Sequence, residues 1–279
     1  MGEKRSGTPG VKDAAVYLYC FARSAGARRV SAVGIDGRNR VSALEEGGVA
    51  AVVSRVSPTE FAAASGDDHL ADPAWVIPRA YQHERVIEEV MRRSPVLPAR
   101  FGTVFSSRRA LATLLAHRAA EVAAFLAGIA DKEEWAVKGF VDLERAGTSL
   151  LSTDPFFRGC SQRLPKSPGA RYLQEKRLRA DAAAQAKLWC RTVAEQVEAE
   201  LKSQALDMRP VRLQTRSVSG KAGEMVFNCA FLLARSRVAH FRARLERVGS
   251  VHAEHGLALE LSGPWPPYNF CPSLGEPPA

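Results

Sequence analysis

A chain of 279 residues, 46% of them hydrophobic, is long enough for two domains with an apolar core each. The formal net charge of +9 is spread almost evenly, with 17 basic and 13 acidic residues up to position 130 and 22 and 17 after it, so arginines interspersed with Glu and Asp read as solvated helix faces rather than a nucleic-acid stripe. Five scattered cysteines without a Cys-x-x-Cys pair argue against a disulfide scaffold or zinc ribbon; the polar first ten residues lack a signal-peptide core, and no later run is read as membrane-spanning, so a cytoplasmic location is expected.

The segment Ala15-Val16-Tyr17-Leu18-Tyr19-Cys20-Phe21-Ala22 reads as a buried strand. The Asp36-Gly37 turn signal, a short run at 41 to 44 and a strand at 49 to 54 extend it into a small β-meander. Helical turns are predicted at 58 to 64, a polar loop at 65 to 73, and a helix from 73 to 93 with Val76, Ala80, His83, Ile87 and Val90 near one face. Pro95 and Pro98 stop that helix. A strand through 97 to 105 follows, with Phe101, Thr103 and Phe105 on one face, and then a helix at 107 to 127 capped by Ser106 or Ser107. These elements make a first α+β domain, a meander plus helices, over residues 11 to 130.

A second domain is predicted over 131 to 262. It begins with a strand at 134 to 142, continues through a Gly-, Ser- and Pro-rich loop at about 145 to 170, and then enters a long helix from 171 to 206. Strands at 209 to 216 and 225 to 234, a helix capped by Ser236 and a strand at 257 to 261 complete the order βαββαβ, the ferredoxin-like arrangement. Residues 263 to 279 are read as a separate Pro- and aromatic-rich tail. Cys20, Cys190 and Cys229 lie in apolar-periodic segments and are expected to act as small core hydrophobes.

Two stretches are too rich in Pro, Gly and aromatics to be filler: the run Leu97-Pro98-Ala99-Arg100-Phe101-Gly102-Thr103-Val104-Phe105, and Gly263-Pro264-Trp265-Pro266-Pro267-Tyr268-Asn269-Phe270. Together with Tyr17-Leu18-Tyr19, Gly34-Ile35-Asp36-Gly37, residues 48 to 54, His83-Glu84, Glu134-Trp135-Ala136-Val137-Lys138 and Tyr172-Leu173, they resemble the gas vesicle protein GvpF/GvpL family, in family order across nearly the whole chain. Departures are Cys20, where the family often has Gly, Ala99, where a larger aliphatic residue is common, and the missing acidic tail. The resemblance implies a two-domain α+β build with a ferredoxin-like C-terminal half. It also implies a non-enzymatic accessory role in gas vesicle assembly, with contact to the hydrophobic major shell protein and other accessory proteins. No cofactor, metal, small-molecule substrate, membrane or nucleic-acid partner is expected on this reading.

Leu97, Pro98, Arg100, Phe101, Gly102, Thr103, Phe105, Trp135, Trp265, Pro266, Pro267, Tyr268 and Phe270 are the candidate partner-binding or family-motif residues. Phe101 and Phe105 are expected to pack inward. Arg100 is expected to hydrogen-bond carbonyls at the domain junction, its alternative being contact with a partner. The tail reads as a clasp packing its aromatics across a sheet or between domains, its alternative being an exposed aromatic patch. His83 and Glu84 occupy neighbouring helix positions that face apart, so no shared relay is expected; His252 and His255 lack a third ligand in sequence. The alternative function is an RNA-binding module, with Phe227 and Phe231 on the strand where such modules stack bases.

Overall fold

The computed structural model describes residues 15–58, 61, 72–215, 220, 221 and 223–272. Residues 65 to 71 of the loop expected at 65 to 73, most of the helical turns at 58 to 64, and the polar start lie outside these residues. The described residues before Lys132 and those from Pro266 onward form one compact unit, and Lys132–Trp265 forms a second.

In the first unit, β1 (Ala15–Arg23) is buried along all but its last residue. A strand this apolar on both faces belongs in the middle of a sheet. It pairs antiparallel with β3 (Val49–Val56) on one side and with β4 (Val96–Pro98) and β5 (Val104–Phe105) on the other. The edge position goes to β2 (Ser42–Glu46), a largely solvated strand that forms a hairpin with β3. The order β2-β3-β1-β4 therefore replaces the expected meander, in which β1 would lie beside β2. A four-residue helix α1 (Ser24–Ala27) follows β1 directly.

Each face of this sheet carries one long helix. Asp72 caps α2 (Pro73–Met91) by accepting from the Ala74 N–H at 2.9 Å, and the helix runs on through Pro78, burying His83, Val86, Ile87 and Val90. Its apolar stripe joins Tyr17, Tyr19, Ala50 and Val52 in one core. Ser107 caps α3 (Arg108–Gly128), whose Leu111, Leu114, Leu115, Val122 and Leu126 cover Val16, Leu18, Val49 and Val53 on the other face. With a mean hydropathy of 1.4 over its best window, α3 is long and apolar enough to cross a membrane, which corrects the expectation that no run reaches that length. The alanines that raise its hydropathy, among them Ala116, Ala120, Ala123 and Ala127, lie on its exposed face, while the leucines face the core.

The second unit is a four-stranded antiparallel sheet in the order β7-β8-β6-β9, made of β6 (Lys132–Val141), β7 (Asp207–Pro210), β8 (Glu224–Ala234) and β9 (Leu257–Trp265). The expected loop after β6 is instead two short helices, α4 (Leu143–Thr153) and α5 (Pro155–Gln162). Gly, Ser and Pro content suggested irregular chain, but Asp142 and Asp154 cap the two helices, Pro155 occupies a first-turn position that proline tolerates, and Gly147 lets α4 approach Ala183 closely. A 35-residue helix, α6 (Pro168–Lys202), follows, and α7 (Val238–His252) connects β8 to β9. Ser236 is not its cap: it lies in a 3-10 turn, and the helix begins after Arg237 without a side-chain cap. Strand β7 is also shorter than expected; beyond it, Asn228 Nδ2 donates to the Arg212 carbonyl at 2.8 Å.

Strand β9 absorbs Gly263, Pro264 and Trp265, which moves the tail boundary to Pro266. Gly263 has φ +136°, and a Cβ there would stand 3.0 Å from the Glu134 carbonyl and 3.1 Å from the Trp135 ring. Gly263→Ala is therefore expected to cost about 1–3 kcal/mol through backbone strain and displacement of Trp135. A lowered urea midpoint with an unchanged slope would show this.

Candidate functional site

Two tyrosines two residues apart on a buried strand share one face and bring two hydroxyls into an apolar core, where each needs a partner. The Tyr19 hydroxyl lies 2.9 Å from Ser54 Oγ and accepts from the Ile35 N–H at 2.6 Å. The Tyr17 hydroxyl lies 2.9 Å from His83 Nδ1 and accepts from the Gly102 N–H at 3.0 Å. On the other side of the ring, His83 Nε2 is 3.2 Å from the Tyr268 hydroxyl, which donates to Glu84 Oε1 at 2.7 Å.

The direction of every proton in this chain follows from its ends. With Glu84 as a carboxylate, Tyr268 must give it its proton and accept from His83 Nε2–H. The unprotonated Nδ1 then accepts from the Tyr17 hydroxyl, whose oxygen accepts from Gly102. His83 is thereby a neutral imidazole with both nitrogens engaged. Burial pushes its pKa down to about 4, against a weaker pull upward from the Ala99 backbone. Burial also raises the Glu84 carboxyl above its ordinary value, with the Tyr268 hydrogen bond opposing and Glu88 adding to the shift.

Aromatic packing closes the network. The His83 ring stacks on Tyr19 at 5.8 Å and meets Tyr17 and Phe101 edge-on at 5.6 and 5.9 Å. Burial raises Tyr17, and it pushes the Tyr19 hydroxyl up to about 12. Hydroxyls that keep their protons and an imidazole bonded on both sides make a pin: it ties β1, α2, the turn after β4 and the C-terminal segment together.

The pin explains much of the Leu97 to Phe105 run. It is not one strand, because Gly102 takes φ +85° and the chain turns at residues 100 to 103, with the Thr103 hydroxyl donating to the Arg100 carbonyl at 2.7 Å. Phe101 consequently packs on the His83 face and Phe105 on the opposite one, which corrects their expected common face. Leu97 and Pro98 are buried in β4, Gly102 supplies an N–H to Tyr17, and Arg100 is exposed. In the tail, Pro266 and Pro267 are buried, Tyr268 enters the pin, and Phe270 is half-buried. Trp265 is 41% exposed.

His83 and Glu84 both reach the hydroxyl of Tyr268, a residue 184 positions beyond Glu84, which corrects the expectation that they face apart and share no relay. Helix periodicity carries no information about such a partner. Tyr268→Phe removes the shared hydroxyl and takes a partner from the buried His83 and the half-buried Glu84, so it is expected to cost the first unit about 1–3 kcal/mol. Thermal unfolding against wild type, with proteolysis following release of the segment after Pro266, reads the effect.

The other candidates fall in the second unit and take structural positions. Trp135 is buried, donates from Nε1 to Glu133 at 3.0 Å, and carries the Arg242 guanidinium 4.5 Å above its ring. Asp142 caps α4. His252 and His255 flank Trp189 at 6.1 and 5.7 Å, and Ser149 Oγ lies 2.7 Å from His255 Nδ1. Cys20, Cys190 and Cys229 are buried, as their apolar surroundings in sequence indicated.

Comparison with known proteins gives the motifs a context. The family described as "Gas vesicle synthesis protein GvpL/GvpF" matches residues 15–272. Gas vesicle protein F of Streptomyces sp. (strain CB03234) is 29% identical over 188 residues, covering 67% of this chain and 75% of that protein. Gas vesicle protein L of the same organism is 28% identical over 227 residues, covering 81% of each. The crystal structure of GvpF from Anabaena sp. PCC7120 superposes with a TM-score of 0.63 at 18% identity, over 93% of this chain and 99% of that one. GvpF from Microcystis aeruginosa gives 0.60 at 17% identity, over 92% and 98%. These two likenesses concern the fold.

Proposed function

The chain belongs to the GvpL/GvpF family of gas vesicle synthesis proteins, and from that premise we propose that it acts without catalysing a reaction, as a cytoplasmic, vesicle-associated adaptor or chaperone for the hydrophobic major shell protein. The observation that carries this reading is the family match from residue 15 to residue 272, which takes in both units. Shell subunits with large apolar surfaces need shielding until they join a growing wall.

The second unit supplies a means. We read it as ferredoxin-like: α6 and α7 occupy the two crossovers, and the strand order β7-β8-β6-β9 fits that arrangement. Nine-residue β9 is the sheet's outer strand next to β6, so its far edge is placed to accept a partner strand, with affinity from backbone hydrogen bonds. Trp265 at the end of β9 and Arg100 in the first unit are the motif residues proposed for partner contact, because both are exposed. The motif residues of the pin are proposed to hold the scaffold.

The RNA-binding alternative loses its main support. Phe227 and Phe231 are 4% and 0% exposed, inside the core with Phe241, and offer no face on which bases stack. The assembly reading is tested by deleting the gene in a vesicle-forming host and counting vesicles by electron microscopy. Few or no vesicles, restored by the full chain, is the expected result; normal vesicle numbers would overturn the reading.

A further inference from the structure

Helix α6 is longer than the core it serves. Its buried residues begin at Ala182 and continue through Ala186, Cys190, Val193, Val197 and Leu201. Residues 168 to 181 extend about 20 Å beyond that, at 1.5 Å per residue. Tyr172 stands about five helical turns before Cys190 and so points along the same stripe, yet it is 64% exposed. Leu173 beside it is 66% exposed, and Phe156 on the neighbouring helix α5 is 68% exposed.

The charge here is not evenly distributed. Between residues 155 and 180 the chain carries seven basic residues, Arg158, Arg163, Lys166, Arg171, Lys176, Arg177 and Arg179, against the single acid Glu175. That net +6 is two-thirds of the whole chain's charge, and all seven cations are exposed. Within this stretch, Glu175 pairs with Arg171.

We propose that the projecting part of α6, together with α5, docks an acidic amphipathic helix of a protein partner. The field attracts acid groups, and the three apolar side chains take the partner's apolar anchors, as in helix-in-groove recognition. A polynucleotide would use the cations but has no call on Leu173. A bilayer would need a continuous apolar stripe, whereas the turns after Leu173 present Lys176, Arg177 and Arg179. The inference rests on the reading above that the protein works by binding other proteins.

The test titrates the full chain with three probes: a synthetic Leu/Glu amphipathic helix of net charge −6, poly(U) RNA, and phosphatidylglycerol vesicles. The acidic helix is expected to bind most tightly. Its affinity should fall at least tenfold in Tyr172→Ala/Leu173→Ala and in Lys176→Glu/Arg177→Glu/Arg179→Glu, positions whose exposure leaves folding unaffected, as circular dichroism would check. Stronger binding of RNA or vesicles, no binding of the helix, or binding indifferent to the apolar pair would overturn the proposal. Capture of the major shell protein, measured in parallel on wild type, separates the two readings: capture without helix binding sinks only this proposal, and helix binding without capture sinks only the shell-protein role.

Discussion

Replacing His83 with alanine is expected to cost the first unit about 3–5 kcal/mol, the largest loss of any single substitution considered. The ring is 1% exposed and packed among Tyr17, Tyr19 and Phe101, so its removal leaves a cavity of the kind that costs about 2–5 kcal/mol. It also strands the buried Tyr17 hydroxyl and the half-buried Tyr268 hydroxyl, and a missing partner costs such a group up to about 1–3 kcal/mol. Partial collapse and the remaining bonds to Gly102 and Glu84 keep the sum at the lower figure. Urea denaturation of wild type and variant measures it. His240→Ala is the control, because His240 is exposed, with its Nε2 3.1 Å from Gln204 Oε1, and it should change stability by less than about 0.5 kcal/mol.

The second large effect is a loss of stability in mild acid. His83 takes up its proton at about 4 when folded and near 6.5 when unfolded. Between those values the unfolded chain binds more protons, so the stability that His83 contributes is whole above pH 6.5 and is lost as pH falls through the window to 4. The difference corresponds to about 3 kcal/mol. Glu84 works in the opposite sense: its raised folded value favours the folded state at low pH and is lost as pH rises through it, so it offsets part of the fall at the acid end. The tyrosines of the pin are pushed toward higher pH and do not titrate in this window. Stability measured by denaturant at pH 4, 5, 6 and 7 is expected to rise across the series in wild type. In His83→Gln the rise should flatten, since the group that titrates is gone. A wild-type profile as flat as the variant's would contradict a neutral, buried His83.

Local chemistry made some of this architecture readable. An unbroken apolar run at 15 to 22 requires a strand buried on both faces, and the stripes of α2 and α3 require something flat to cover. The composition of 171 to 206 left few options besides helix. Where the reading failed, the deciding contact was remote or geometric. Gly and Ser at 145 to 162 spoke for a loop, but two aspartate caps and packing against α6 outweighed propensity. Alternation put Phe101 and Phe105 on one face, and a single positive φ at Gly102 reversed it.

The pin shows the limit most clearly. Tyr17, Tyr19, His83, Glu84, Gly102 and Tyr268 each belong to a segment that stood out in sequence, yet their segments are far apart in the chain. Nothing in periodicity says that they meet. What a sequence does signal is the obligation: buried hydroxyls in an apolar strand must find partners, and a proline-restricted tail ending in Tyr268 must pack its ring somewhere. The chain discharges both obligations at one histidine.

The proposed role in vesicle assembly, holding shell subunits, is tested by co-purifying the tagged full chain with the major shell protein at low and high salt, with an RNA-binding control alongside. Capture that survives high salt, without RNA, is the predicted result, because apolar contact and strand pairing are not screened by salt. Absence of capture, or steeply salt-dependent RNA binding in its place, would contradict it.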